Sequence, residues 1–150
     1  MGHRHINANR QMKNAFEYET HTPASFSRAT IVDNRKIDKT MYISGTSTIG
    51  PNGESLHVGD FAKQVMQTYD NLLSVLWNGD FDVEDIARFT VYLKDIERDY
   101  DEFNRLREKW FNNHGIKVYP ASTCIQAKLC RPELLIEIEA IAIKYVEEDE

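Results

Sequence analysis

Two carboxylates and two thiols crowd the last third of the chain. The run "LLIEIEAIAI" (134–143) is apolar enough for a buried strand, yet Glu137 and Glu139 interrupt it. Side chains alternate along a strand, so both carboxylates share one face, about 6.5–7 Å apart. Partial burial would raise at least one pKa through desolvation and mutual repulsion. A carboxyl poised in that way can serve as general acid or base. The plainer outcome of the same pattern is two solvated carboxylates, or pairs with Arg88, Lys128 or Arg131. Cys130 and Arg131 precede the run, and Cys124 lies a little upstream. On one straight strand the two cysteines stand about 20 Å apart, beyond disulfide reach, although a bend would relax that limit. Both are read as reduced thiols of a cytoplasmic protein.

The elements that must position these groups follow from periodicity. "SFSRATIV" (25–32) and "TMYISG" (40–45) are short β-rich runs with a polar connection, and predict a hairpin. Asp60 is a candidate N-cap for a helix to about Trp77, with Phe61, Val65, Tyr69, Leu72 and Leu76 on one face. "IARFTVYL" (86–93) alternates as a strand. Asp99 and Glu102 resemble a capping box. A second helix follows, with Tyr100, Phe103, Leu106 and Trp110 toward the core. Two more strands are expected near 121–129 and 134–143. The order is β-β-α-β-α-β-β, an α+β domain whose two amphipathic helices cover one face of a sheet. The bounds read as a loose arm over 1–22, a domain over 23–145 and an acidic tail over 146–150. His3 and His5 in the arm lack a third ligand, so no metal site is expected.

The other face of that sheet is mixed. Leu135, Glu137, Glu139, Ile141 and Ile143 oppose Ile136, Ile138, Ala140 and Ala142, and Ser122, Cys124, Gln126 and Lys128 oppose Thr123, Ile125 and Ala127. The side carrying Thr123, Ile125 and Ala127 is expected under the helices. A wholly solvated face has little use for Ile141 and Ile143, and a core has none for two glutamates. The pattern fits a surface that packs on another subunit and leaves a polar cleft.

Composition narrows the classes. The 150 residues are 41% hydrophobic and 28% charged, the size and make-up of one globular domain. Eighteen basic against twenty-four acidic residues give a net charge of −6, which argues against nucleic acid as the main partner. No apolar run approaches the ~20 residues of a membrane span.

"SFSRA", "YISGT", "YDNLLSVL", "FTVYLKD", "YPASTC" and "LIEIEAIAI" occur in the order found in the RidA/YjgF/YER057c/UK114 family, which the chain resembles over residues 23–144. The resemblance implies a chorismate-mutase-like fold. It also implies a homotrimer around a central barrel, with ligand clefts between subunits. It further implies hydrolysis of enamines or imines of small carboxylate metabolites without metal or cofactor. By the same resemblance Glu137 positions the attacking water. Ser44, Gly45 and Cys124 complete the cleft, and Phe26 lines it in place of the usual Tyr. In the family a strand Arg in "P-A-R-S-C" clamps the substrate carboxylate. Here Ser122 stands at that position, with one weak donor and no charge. Arg28, Lys128 and Arg131 are the candidates for another cation. A narrower similarity, "CRPELLIEIE" with "FSRA" and "YISGTSTIGPNGE", is to the C-terminal half of chorismatases, and implies roles for Cys130, Arg131 and Glu137 in releasing pyruvate from chorismate. A trimer that only binds a small anionic metabolite fits the same residues.

Overall fold

The computed structural model describes residues 4–6, 25–27 and 29–147. The elements are β1 (Arg4–Ile6), β2 (Ala29–Ile31), β3 (Ile37–Thr46), α1 (Phe61–Asn78), β4 (Ile86–Leu93), α2 (Ile96–Asn113), β5 (Ala121–Gln126) and β6 (Ile136–Tyr145). Four strands form a mixed sheet in the order β3-β6-β4-β5. β6 is antiparallel to both neighbours, and β4 and β5 are parallel across the α2 crossover. Both helices pack on one face of this sheet, which makes the class α+β as expected.

Helix α1 forms where the spacing predicts. Asp60 accepts a hydrogen bond from the Lys63 amide at 3.1 Å, and Phe61, Val65, Tyr69, Leu72 and Leu76 are all buried. Helix α2 begins one turn earlier than a cap at Asp99 would put it. Asp95 is the N-cap and accepts from the Arg98 amide. Asp99 is instead buried, and both its oxygens receive the Arg98 guanidinium at 2.9 and 2.8 Å. The two helices close over an aromatic centre. The Tyr69 ring lies 4.9 Å from Trp110, 5.8 Å from Phe89 and 6.0 Å from Phe111. Such pairs contribute about 0.5–1.5 kcal/mol each beyond the area they bury.

The expected hairpin between 25–32 and 40–45 does not form. β3 spends its length on β6, with Tyr42 opposite Ile141 and Ile43 opposite Ala140. β2 pairs with β1 instead, Thr30 opposite His5. Residues 25–27 run beside the start of β5 at the opposite edge of the sheet: the Ser27 amide bonds Pro120 O at 2.9 Å, and Ser27 bridges Ala121 in parallel. Thr30 reinforces this path by donating to Ala87 O and accepting from the Ala121 amide.

The faces of β6 and β4 divide as the alternation requires. Ile136, Ile138, Ala140 and Ala142 lie beneath the helices with Phe89, Val91 and Leu93, all buried. β5 is reversed from expectation. Ser122 is opposite Phe89 and Cys124 opposite Val91, so both share the helix face, whereas Thr123 and Ile125 stand on the open one with Thr90 and Tyr92. β5 is the last strand of the four-stranded sheet, met only at its start by Ser27, so the pull of the core on its outer residues is weak.

Candidate functional site

Two clusters bear chemistry, one on each face of the sheet. The open-face cluster is built from the ends of β3 and β6. β3 breaks register between Ile43 and Thr46, and Gly45 sits in that irregularity. The Glu137 side chain lies directly over it. A Cβ on Gly45 would stand 2.8 Å from both Cδ and Oε2 of Glu137, so only glycine lets the carboxylate rest there. Ser44 and Gly45 are both exposed beside it.

Helix α1 fixes both strand ends through polar residues on its inner side. Buried Gln64 accepts from the Leu135 amide at 2.9 Å and donates to Glu133 O at 3.0 Å, which pins the entry into β6. Asn71 donates to Ser47 O and Ile49 O at 2.8 and 3.0 Å, pinning the exit from β3. The Ser47 hydroxyl in turn donates to Ile136 O. Glu137 is thus placed by a rigid helix rather than by its own loop.

The two glutamates differ in their partners. Glu139 accepts from the Tyr92 hydroxyl, and that bond, with the nearby Glu137 charge, raises the Tyr92 pKa. No hydrogen bond or ion pair reaches the Glu137 carboxylate among the described residues. A cavity of about 190 Å³ adjoins this face, edged by Tyr42, Arg88, Thr90, Glu139 and Ile141. Arg88 there donates to Thr123 Oγ1 at 2.7 Å and pairs with neither glutamate.

The helix-face cluster centres on Arg107, which the sequence reading missed. Arg107 is 1% exposed. It donates from Nε to Ser25 Oγ at 2.8 Å, from Nη1 to Ser122 Oγ at 2.9 Å and from Nη2 to Asn104 Oδ1 at 2.9 Å. Its guanidinium carbon is 5.6 Å from the Phe26 ring centre and 4.6 Å from that of Phe103. Burial lowers its pKa, yet guanidinium stays charged in proteins. Burial also pushes the Cys124 thiol up to about 11, opposed in part by Arg107, so Cys124 is a neutral thiol near pH 7.

The remaining sequence candidates lie elsewhere or outside the described residues. Arg131 donates from Nη1 to Gly53 O at 2.8 Å and Ser55 Oγ at 3.1 Å, and Ser55 donates to Glu133. That bond holds the Glu133 pKa below its usual value. Arg131 thus fastens the turn after β3 to the segment before β6. Cys130 is exposed and unbonded to Cys124, and Lys128 is exposed. Arg28 and His3 lie outside the described residues. Among the described residues, no three His, Cys, Asp or Glu side chains are grouped to hold a metal, and no helix is long and apolar enough to cross a membrane.

A two-helix layer on a β3-β6-β4-β5 sheet, with a glutamate resting on a strand glycine, defines a RidA-like α+β protein. The comparisons agree. The endoribonuclease L-PSP family model matches residues 16–144, and the chain belongs to that family, the RidA/YjgF/UK114 proteins. It is 30% identical over 114 residues to the 3-aminoacrylate deaminase RutC of Acinetobacter baylyi, covering 76% of this chain and 86% of that one. It is 32% identical over 106 residues to the RutC family protein UK114 of Drosophila melanogaster, covering 71% and 73%. Among solved structures, the Rid-family protein YyfB of Yersinia pestis, a protein of unknown function, superposes with a TM-score of 0.79 at 26% identity, over 96% of this chain and all of the other.

Proposed function

We propose that this chain hydrolyses an enamine or imine bearing a single carboxylate, in a cleft closed by a neighbouring copy of itself. One observation carries the reading: the Glu137 carboxylate rests on Gly45 with no partner among the described residues. A carboxylate in that state is free to take a proton from water. Water adds to the C=N carbon of the imine, its proton passing to Glu137 and on to nitrogen. Collapse of the carbinolamine breaks the C–N bond, expels ammonia and leaves the carbonyl. Cys124, neutral near pH 7, is not the nucleophile; its role is to line the pocket. The relative that deaminates 3-aminoacrylate supports aminoacrylates as the substrate class.

The neighbouring copy is invoked because Glu137 and the Ser122–Cys124 pair lie on opposite faces of one sheet. The open face also carries Tyr42 at 77% and Ile125 at 45% exposure, apolar surface that a homotrimer would cover. Sedimentation of a well-folded lone protomer at working concentration would remove this premise.

The test is ammonia release from freshly generated 2-aminoacrylate and from 3-aminoacrylate. Turnover above buffer that is lost in Glu137→Gln supports the reading. A rate equal to buffer for both substrates rejects it. A second reading, a trimer that binds a small anion without turning it over, is favoured by one observation: position 122 is a serine already bonded to Arg107. Saturable binding of a carboxylate with no turnover of either aminoacrylate would select it.

A further inference from the structure

The guanidinium of Arg107 is buried without a counter-ion. Among the described residues no carboxylate pairs with it, and its nearest polar company is neutral: Ser25, Ser122, Asn104, Cys124 and Tyr69. Burying an ion costs several kcal/mol unless charge and hydrogen bonds compensate it. Three neutral acceptors and two aromatic faces supply part of that compensation.

Two further facts point to a ligand. Guanidinium has five N–H donors, and three are taken, one on each nitrogen. The two left over sit one on Nη1 and one on Nη2, with the Tyr69 hydroxyl against the guanidinium; a carboxylate is the anion a guanidinium takes with two donors. Beside them the Tyr69 hydroxyl is fully buried and makes no well-formed hydrogen bond, although it lies against Arg107 and Cys124. A buried hydroxyl without a partner costs about 1–3 kcal/mol, and an anion at Arg107 would accept from it. Phe26, Ser122 and Cys124 are only partly buried, so the cluster reaches the surface along that edge.

We propose that Arg107 is the anion anchor of this chain, taking the carboxylate of a small, flat metabolite at the edge formed by Phe26, Ser122 and Cys124. The ligand carboxylate bridges Nη1 and Nη2, accepts from Tyr69, and its flat body lies along the Phe26 ring. This deepens the function proposed above and rests on it, because it supplies the cation that β5 itself lacks.

The probe is pyruvate, with uncharged methyl pyruvate as control, titrated into the full 15N-labelled chain. The Arg107 Nε–H and Cys124 amide resonances should move saturably with pyruvate and stay still with methyl pyruvate. Arg107→Leu should weaken pyruvate binding roughly 10- to 100-fold, the worth of a charged hydrogen-bond pair. The double variant Ser122→Arg with Arg107→Leu, which moves the guanidinium to the strand, should recover most of it. A guanidinium with a purely structural role would leave pyruvate affinity unchanged in a folded Arg107→Leu chain. If Arg107→Leu does not fold, the wild-type titration decides alone. Shifts confined to Ser44, Gly45 and Glu137 overturn the anchor and leave the hydrolase standing. No response to pyruvate, with aminoacrylate turnover intact, also overturns the anchor alone. No response and no turnover overturn both.

Discussion

The two faces of the sheet carry opposite deficits. Among the described residues, a cation beneath the helices, Arg107, is buried with no carboxylate paired to it. On the open side a carboxylate, Glu137, has no cation paired to it among those residues. Within one protomer the sheet keeps them apart, since Ser122 and Cys124 share the face of Phe89 and Val91 while Glu137 shares that of Tyr92. Ordinary cores do not leave charges so, because a partner on the same face removes the cost. On the proposed reading, neither cluster is complete alone. A ligand at one, and a neighbouring chain across the other, are what would balance them.

The sharpest break in that comparison is chemical. Glu137→Gln should lower aminoacrylate turnover by roughly 10²- to 10⁴-fold, the usual worth of a general acid–base group, with an unchanged thermal melt. Glu139→Gln, which only trades its Tyr92 bond, should cost far less. Equal losses in steady-state ammonia assays would show that the two carboxylates act as one unit and that the difference drawn from their partners is wrong.

A stability pair comes next. Phe89 is 1% exposed and contacts the Tyr69 and Phe111 rings, so Phe89→Ala should destabilise by about 3–5 kcal/mol. Tyr42, at 77% exposure on the other face, should cost under about 0.5 kcal/mol as Tyr42→Ala but shift sedimentation toward smaller species. Urea unfolding measures the first and ultracentrifugation the second. A Tyr42→Ala chain that assembles normally would show that the open face is not buried by a second copy.

Gly45→Ala sharpens the open face itself. The new Cβ meets only the end of a flexible side chain, so stability should change by less than about 1 kcal/mol. The carboxylate must nevertheless move, and a displacement of about 1 Å can cost 10²-fold in rate. A variant with full turnover and the wild-type melt would separate catalysis from the Glu137–Gly45 contact.

Much of this frame was legible in the residues. The α1 stripe from Phe61 to Leu76 repeats at 3.6 residues, and β6 sorts itself because isoleucine and alanine oppose glutamate. β5 misled, since Ile125 is the most apolar of its side chains yet stands 45% exposed on the open face, and an edge strand tolerates either orientation. The hairpin failed for a different reason. Which strand pairs with β3 is decided by β6, nearly a hundred residues away, and local pattern carries no such information. Arg107 left a trace that was passed over: it falls four residues after Phe103 and three before Trp110, a charge on the apolar stripe of α2. Gln64 and Asn71 left the same kind of trace on α1. Polar residues at core positions of a helix mark what the helix holds in place.

A pH-dependent effect concerns the buried thiol. Cys124 keeps its proton in the folded chain to about pH 11, whereas the unfolded chain releases it near 9.0. Above pH 9 the folded state therefore binds more protons than the unfolded one, and stability falls as pH rises toward 11. The loss should be on the order of 1–2 kcal/mol and absent below pH 8. Tyr69, also raised by burial from 10.0, steepens the fall at the upper end. Cys124→Ala should flatten the slope between pH 9 and 10 in urea titrations, leaving the Tyr69 part. Arg107→Leu should leave the onset near pH 9 but carry the fall to higher pH, because Arg107 is the charge that favours the folded thiolate. An alkaline slope unchanged in both variants would mean that the thiol and the guanidinium do not share a dry pocket, and the contrast between the two faces would lose its buried side.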